Sequence, residues 1–301
     1  MRHRPFASLM VIVTMLVLPS LRLGAQPRQL PVSLPLNPDG AVRIISLSDA
    51  GSIRVIGWDK DSIQVTGTIA RTSSFHIGGT REGVKMFWET EKGTSTKLAG
   101  ISDVVIRVPA RARVSVNSAM ADVEATAIAG QLDVTAVGSH IRVQGTPSEL
   151  RAETMNGDIE VTASPAYLRL KTATGHVTWT GSSEDVALTT VSGKMVINGG
   201  TVNRARFESI DGDIRFSGGV TKFATVTFDT HGGDVTLLLA KDTDAEVQAS
   251  GPSSDLFGKR STPGADIAKR QTNYATAGKP VPSGASIVVR TFKGRVTASY
   301  Q

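Results

Sequence analysis

The sequence of 301 residues contains no cysteine. It therefore has no disulfide bond, no thiolate ligand for a metal and no cysteine that could carry a lipid anchor. Aromatic residues make up only 5% of the chain, which supplies few rings for stacking against sugars or bases. Without covalent cross-links, stability must come from a long hydrophobic core.

The excess of positive charge is small. The formal net charge is +6, but Arg2, Arg4 and Arg22 fall within the first 25 residues and leave about +3 for the rest. Lysines and arginines are interspersed with acidic residues, whereas a nucleic-acid-binding surface needs cations clustered on one face. The sequence therefore predicts no nucleic-acid partner.

The N-terminus has the three parts of a secretory signal. Residues 2–4 are basic, residues 6–18 form a mostly apolar run, and Leu23-Gly24-Ala25 provides small residues ahead of a cut before Gln26. The run is short for a membrane span. An uncleaved membrane anchor is the alternative interpretation of this segment. We predict a signal peptide at 1–25, no transmembrane span after its cleavage, and an exported protein in the periplasm, on the outer-membrane surface or outside the cell.

The middle of the chain repeats about every 18 residues. A small residue, here called the anchor, marks each repeat: Ala121, Ser139, Gly157, Gly175, Gly193, Gly212 and Gly233. The residues two and four places after the anchors are all apolar, as at Ile159 and Val161. A fixed period with strand-like alternation is typical of a stacked architecture, in which each unit covers the core of the next.

Each repeat contains two predicted strands. The positions seven and five before the anchor are apolar, as at Leu168 and Leu170, and the position three before it is small, as at Thr172. The anchor lies at one corner, and several repeats have a second glycine six places later: Gly145, Gly181, Gly199 and Gly218. Glycine tolerates positive φ, so we expect the chain to turn at both places.

Two architectures fit this pattern: an antiparallel sandwich of consecutive hairpins, or coils whose equivalent strands stack in parallel. Outward charges favour the second, because unlike charges would then be neighbours about 4.8 Å apart. The pairs in question are Glu124 and Glu160 around Arg142, Asp133 with Arg151, and Glu153 with Lys171. We therefore predict an all-β, single-chain β-solenoid of about 18 residues and two short strands per coil.

The remaining segments give a predicted domain plan. Residues 26–40 are rich in proline and are predicted to be an exposed linker, and 41–301 form the solenoid domain. Within it we expect an N-terminal cap with irregular strands at 41–113 and regular coils at 114–239. We expect a loop insertion at 252–282 and a final coil at 285–300, where the repeat returns around Gly294.

Three motifs carry a family resemblance. These are Gly51 to Asp59 (GSIRVIGWD), the Val108-Pro109 step, and Thr-x-x-Gly-Asp-Ile-x-Val units such as Thr154 to Val161. With them, residues 41 to 300 resemble the bacterial putative-adhesin domain family of exported β-solenoid domains. The resemblance implies a right-handed coil and an envelope or surface location, and it carries over no active-site residue.

Two patterns could bind metal. Asp122, His140, Asp158 and His176 stand one place after successive anchors, so a divalent ion could bridge neighbouring coils, or the ladder could respond to pH. The alternative is a solvated charge ladder of modest stabilising value. The turns Asp211-Gly212-Asp213 and Gly232-Gly233-Asp234 resemble calcium-binding turns, but such sites need tandem nine-residue repeats.

The sequence predicts no catalytic residue and no cofactor. Asp158, Asp213 and Asp234 share a register, but no cluster of His, Arg and Asp accompanies them as a glycan-cleaving site would need. We therefore predict a non-catalytic, adhesin-like binding or scaffolding module of the cell envelope or surface, whose partner is an envelope protein or glycan. The alternative is a polysaccharide lyase or hydrolase built on a β-helix.

Overall fold

The computed structural model describes residues 29–47, 49–90, 101–261, 271–277 and 284–301. In these ranges β-strands are the only regular secondary structure, and all 25 strands belong to one continuous sheet. The strands are β1 (Gln29–Pro35), β2 (Ala41–Ser46), β3 (Ala50–Trp58), β4 (Ser62–Thr68), β5 (Ser73–Gly79), β6 (Gly83–Thr90), β7 (Ile101–Pro109), β8 (Arg113–Ser118), β9 (Asp122–Thr126), β10 (Gln131–Ala136), β11 (Ile141–Gln144), β12 (Glu149–Thr154), β13 (Ile159–Thr162), β14 (Tyr167–Thr172), β15 (Val177–Thr180), β16 (Ser183–Thr190), β17 (Met195–Ser209), β18 (Ile214–Thr230), β19 (Val235–Leu239), β20 (Ala245–Gly251), β21 (Ser253–Leu256), β22 (Lys259–Ser261), β23 (Gln271–Ala277), β24 (Ser286–Thr291) and β25 (Arg295–Tyr300).

Equivalent strands of successive coils pair in parallel, as the charge pattern predicts. Leu132 of β10 lies between Val114 of β8 and Leu150 of β12. The strands before each anchor form one side of the coil, here called the first-strand face, and the strands after it form the second-strand face. In β17 and β18 the second strand of one coil continues directly into the first strand of the next. The β-solenoid is therefore confirmed, and the hairpin sandwich is excluded for these repeats.

The predicted inward positions form the core. Leu168, Leu170, Val177 and Trp179 of one coil are all buried, and equivalent residues stack above and below them. The predicted core aromatics Phe207, Phe216 and Phe228 pack together, with the rings of Phe207 and Phe228 stacked at a centroid distance of 4.8 Å. The core is thus one apolar column along the coil axis.

The anchor corners are held by close stacking. A Cβ on Gly175 would overlap the carbonyl oxygen of Gly157, the anchor of the coil before it. The buried Thr172 hydroxyl, three places before Gly175, donates to that same oxygen at 3.0 Å. The predicted reason for glycine is only partly correct, because Gly157 and Gly193 adopt positive φ whereas Gly175 does not. The lack of space for a Cβ, rather than the backbone angle, is what the glycine anchors share, whereas the first two coils have Ala121 and Ser139 at this place.

The N-terminal coils are not stacked in chain order. β2 lies between β6 and β8, and β3 lies between β7 and β9. Residues 41–58 are therefore a regular coil in register with the later ones, and the prediction of an irregular cap there is wrong. The cap consists of antiparallel strands: β5 on β6, and β4 followed by β1 on β7.

The prediction of an exposed linker at 26–40 is wrong for residues 29–40, which the structure describes. Residues 29–35 are β1, which pairs antiparallel with β4, and Leu30 and Leu36 are buried. Proline is tolerated in β1 because this strand lies at the edge of the sheet, where missing N–H donors break no ladder. The proline content obscured the alternation of Val32, Leu34 and Leu36.

The C-terminal end is interleaved in the same way. β24 and β25 lie between the Gly233 coil and the pair β20 and β21. The coil at 285–300 is therefore last in sequence but not at the end of the stack, which corrects the prediction. The predicted loop at 252–282 is also wrong for its described part, which contains β21, β22 and β23; β22 and β23 pair antiparallel with β21 and β20.

A buried carboxylate joins the interleaved N-terminal strands. Asp49, just before β3, accepts hydrogen bonds from the hydroxyls of Ser73 at 2.7 Å, Ser102 at 2.6 Å and Thr90 at 3.2 Å. These three donors belong to β5, β7 and β6. One side chain thus connects the out-of-order coil to the cap.

We predict that Gly175→Ala lowers stability by about 3 kcal/mol, because the new Cβ must push apart two stacked backbones. Gly78→Ala is the matched control, since a Cβ there meets nothing within 4 Å. The measurement is the free energy of unfolding in urea, supported by the thermal midpoint. Equal small losses in both variants would show that the anchor stack has room for a side chain.

Candidate functional site

The ladder after the anchors is built from side chains that accept backbone hydrogen bonds. Asp122 Oδ1 accepts the amide of His140 at 2.9 Å, and Asp158 Oδ1 accepts the amide of His176 at 2.8 Å. Nδ1 of His140 accepts the amide of Asp158 at 3.3 Å, and Nδ1 of His176 accepts the amide of Lys194 at 2.9 Å. Each side chain therefore satisfies a corner amide of the next coil.

This role limits what the ladder can do for a metal. One oxygen or nitrogen of each side chain is already engaged with an amide, although the ladder borders a hollow of about 230 Å³. Across the described ranges, no three His, Asp or Glu side chains are grouped so that they could hold an ion. A proton on Nδ1 of either histidine would break its hydrogen bond with the next coil.

In the predicted calcium turns, Asp213 and Asp234 are used in the same way. Asp213 Oδ1 accepts the amide of Asp234 at 3.0 Å, and Asp234 Oδ1 accepts the amide of Arg295 at 2.7 Å. Gly212 and Gly233 are stacked anchors with no space for a Cβ. These residues form corners of the solenoid.

The predicted charge pairs occupy neighbouring strands, with one close contact among them. Arg142 Nε donates to Glu160 Oε2 at 2.9 Å, and this hydrogen bond raises the pKa of the Arg142 guanidinium. Asp133 lies beside Arg151 across β10 and β12 without forming an ion pair. Since both Arg142 and Glu160 are about half exposed, their pair contributes little to stability.

A wide groove lies on the first-strand face. It has a volume of about 700 Å³ and crosses β6, β2, β8, β10, β12 and β14. Five basic and two acidic residues line it, and we call it the basic groove: Arg43, Lys85, Arg113, Arg151 and Arg169, with Asp133 and Glu149. Its charge and extent make it the candidate binding site.

Most cations of the basic groove are not neutralised. Arg43, Lys85 and Arg151 form no ion pair with any described residue, whereas Arg169 contacts Asp185 at 2.7 Å. Arg113 donates from Nε to the backbone oxygen of Asp39 at 3.3 Å, so its charge also remains uncompensated. The groove therefore attracts anions.

Asp133 lies within this row of cations. Its half-buried carboxyl group loses water contacts, and this desolvation raises its pKa, with the Arg151 charge opposing the shift and the Glu153 charge adding to it. A carboxylate in this position reduces the positive potential of the groove. Protonation or substitution of Asp133 should strengthen anion binding.

Sequence reasoning missed the basic groove. Its cations come from segments that are far apart in the chain, and the interleaved coils bring Arg43 and Lys85 onto adjacent strands. The observation that cations and acids alternate along the chain is correct, but it does not predict which side chains meet across strands. Comparing residues by register position, such as Arg43, Arg151 and Arg169, would have given the only signal.

A row of exposed apolar side chains also escaped the sequence analysis. It runs along the corner two places before the anchors, where each member is between 45% and 58% exposed: Leu47, Val137, Met155, Val191, Ile210 and Phe292. The Phe292 ring stacks on His231 of the neighbouring coil at 4.7 Å.

Comparison with known proteins gives one family match. The family model described as Toastrack DUF4097 matches residues 45–297. No curated protein matches the sequence. Among the described residues there is also no helix with the length and apolar character needed to cross a bilayer.

Three solved structures align with most of the chain at low identity. A "putative cell adhesion protein" from Clostridium sporogenes ATCC 15579 has 8% identity and a TM-score of 0.22, covering 91% of this chain and 100% of that one. A "putative lipid binding protein" from Parabacteroides distasonis ATCC 8503 has 8% identity and a TM-score of 0.38, and the alignment covers 91% of this chain and 98% of that one. A "putative adhesin" from Bacteroides fragilis NCTC 9343 has 12% identity and a TM-score of 0.34, and the alignment covers 92% of this chain and 100% of that one.

We predict that Asp158→Ala destabilises the fold by about 1 kcal/mol, because the His176 amide loses its acceptor. Asp158→Asn keeps an acceptor oxygen and should cost only a few tenths of that. Thermal unfolding of both variants checks this. Equal losses would show that the hydrogen bond is not what Asp158 contributes, and a stabilisation by Zn²⁺ or Ca²⁺ that both variants abolish would support the metal hypothesis.

We predict that Asp133→Asn raises the thermal midpoint at neutral pH. Because the pKa of Asp133 is raised in the folded state, its charged form costs stability above that pKa, and the cost disappears as the pH falls through it. The advantage of the variant should therefore shrink on acidification. An advantage that stays constant with pH would mean that packing, and not charge, causes it.

Proposed function

Because the chain belongs to the Toastrack DUF4097 family, we propose that it is an exported, non-catalytic binding or scaffolding module of the cell envelope. The observation that carries this proposal is the basic groove, an open lateral surface whose cations Arg43, Lys85 and Arg151 form no ion pair with a carboxylate of the described residues. Such a surface can hold a partner without chemical conversion.

The proposal that the protein is not a catalyst is supported by the structural role of the carboxylate and imidazole groups in the ladder. Asp122, His140, Asp158 and His176 each accept a backbone amide of the next coil. A general acid or base needs a side chain that is free to face its substrate. In each of these groups, the hydrogen-bonded oxygen or nitrogen is committed to the stacking of coils.

The exported part is supported by the sequence of residues 1–25, which lie outside the described residues. A basic start, an apolar run and small residues before Gln26 are the features that export machinery recognises.

We predict that the protein is found in the envelope or medium with Gln26 as its first residue. Leu16→Arg should leave the uncleaved chain inside the cell, because a charge interrupts the apolar run. Leu16→Val is the matched control and should be exported normally. Fractionation of cells with N-terminal sequencing checks both variants.

Two outcomes would contradict the proposal. Retention of the wild-type chain in the cytoplasm would overturn export. Release of new sugar ends from envelope glycans by the purified protein, lost in Asp158→Asn or Asp213→Asn, would overturn the non-catalytic part and favour the lyase or hydrolase alternative.

A further inference from the structure

We propose that the basic groove binds an anionic polysaccharide chain, which extends the binding role proposed above and rests on it. Four of its five cations are arginines. The planar guanidinium group pairs with carboxylate or phosphate through two parallel hydrogen bonds, which a single ammonium group does not offer. The groove is therefore suited to a ligand with several carboxylate or phosphate groups.

The positions of the cations indicate an extended ligand. Lys85 and Arg43 are neighbours at one end of the groove, and Arg151 and Arg169 are neighbours at the other. The six strands span about 24 Å at 4.8 Å per strand. A small anion would engage one end alone, whereas a chain with repeated charges engages both.

Along the row of cations, the groove offers little to a lipid tail or a peptide. The apolar residues at its floor, Val114, Leu132 and Leu150, are at most 3% exposed, so these side chains offer little surface to a lipid tail. The six strands crossing it are paired on both sides, whereas β5, which lines one end of the groove with Gly78 and Gly79, pairs with β6 alone among the described strands. A peptide could therefore add a strand only at that end of the groove and not along the row of cations. Along the row of cations, a lipid or peptide partner would therefore be held mainly by side-chain charges.

A sugar chain makes better use of the remaining groups. Ser115, Gln131 and Glu149 line the groove between the cations and offer donors and acceptors to hydroxyl groups. Tyr167 at one end is 49% exposed, and its ring can pack against a sugar. Charge would then supply attraction, and these side chains would supply selectivity for a hydroxylated ligand.

The test measures binding of labelled oligogalacturonate, long enough to span the groove, to the purified protein by fluorescence anisotropy. Dextran of equal length is the neutral probe, and polyglutamate is the non-sugar anion. We expect oligogalacturonate to bind in a salt-sensitive manner, dextran not to bind, and polyglutamate to bind more weakly.

Three variants locate the site. Arg43→Ala with Arg151→Ala should weaken oligogalacturonate binding about tenfold, since two cation contacts are lost. Arg54→Ala with Arg215→Ala removes the same charge from the exposed second-strand face and should leave the affinity unchanged. Asp133→Asn should strengthen binding, a gain that misfolding does not produce. Equal thermal midpoints confirm that the two arginine pairs are compared in the folded state.

Several results would overturn the groove proposal. If both arginine double variants weakened binding equally, the attraction would be unspecific. If polyglutamate bound as tightly as oligogalacturonate, the groove would not be selective for a sugar chain. Failure to bind oligogalacturonate or any other anionic glycan, in a protein that is exported to the envelope, would refute this inference and leave the proposed function standing. A chain that is never exported would refute both.

Discussion

The structure depends on the contact between stacked anchors. At Gly175 the chain lies so close to the carbonyl oxygen of Gly157 that no Cβ fits, and the Thr172 hydroxyl donates to that same oxygen. The same absence of space recurs at Gly212, Gly233 and Gly294. Because each coil contacts only its neighbours, the spacing at this corner sets the register of both strand faces. The hydrophobic column continues through these contacts and also through the coils whose anchors are Ala121 and Ser139.

The ends of the stack face a different constraint, since an open end exposes unpaired strand edges. Here antiparallel strands cover the terminal coils, and the coils beneath them are inserted out of chain order. The coil formed by β2 and β3 is held on both sides, and Asp49 connects it by hydrogen bonds to three strands of the cap region. Opening this end therefore requires breaking contacts between distant parts of the chain, which also makes its formation non-local.

The regular coils could be predicted from the sequence because their contacts repeat at a constant separation, as between Leu132 and Leu150. A period predicts stacking only between consecutive repeats. It could not predict that Val42 lies beside Val114, because the intervening segment passes to the far side of β2 and returns. The edge strands were hidden by their composition, since prolines and polar residues are tolerated where one side of a strand is unpaired. The basic groove could not be predicted for the same reason as the interleaving, because Arg43 and Lys85 become neighbours only through the out-of-order stacking of coils.

The fold also restricts where a binding function can be located. Near the corners polar side chains are used by the stack itself: Thr172 donates to an anchor carbonyl, and Asp158 accepts an amide. Outward side chains on the strand faces do not hold the coils together in this way, so their chemistry can vary without disturbing the stack. Out-of-order stacking adds to this freedom, because it places Lys85, Arg43 and residues of β8 on adjacent strands although they come from separate segments. The arrangement that closes the end of the solenoid is thus the same one that assembles its cationic surface.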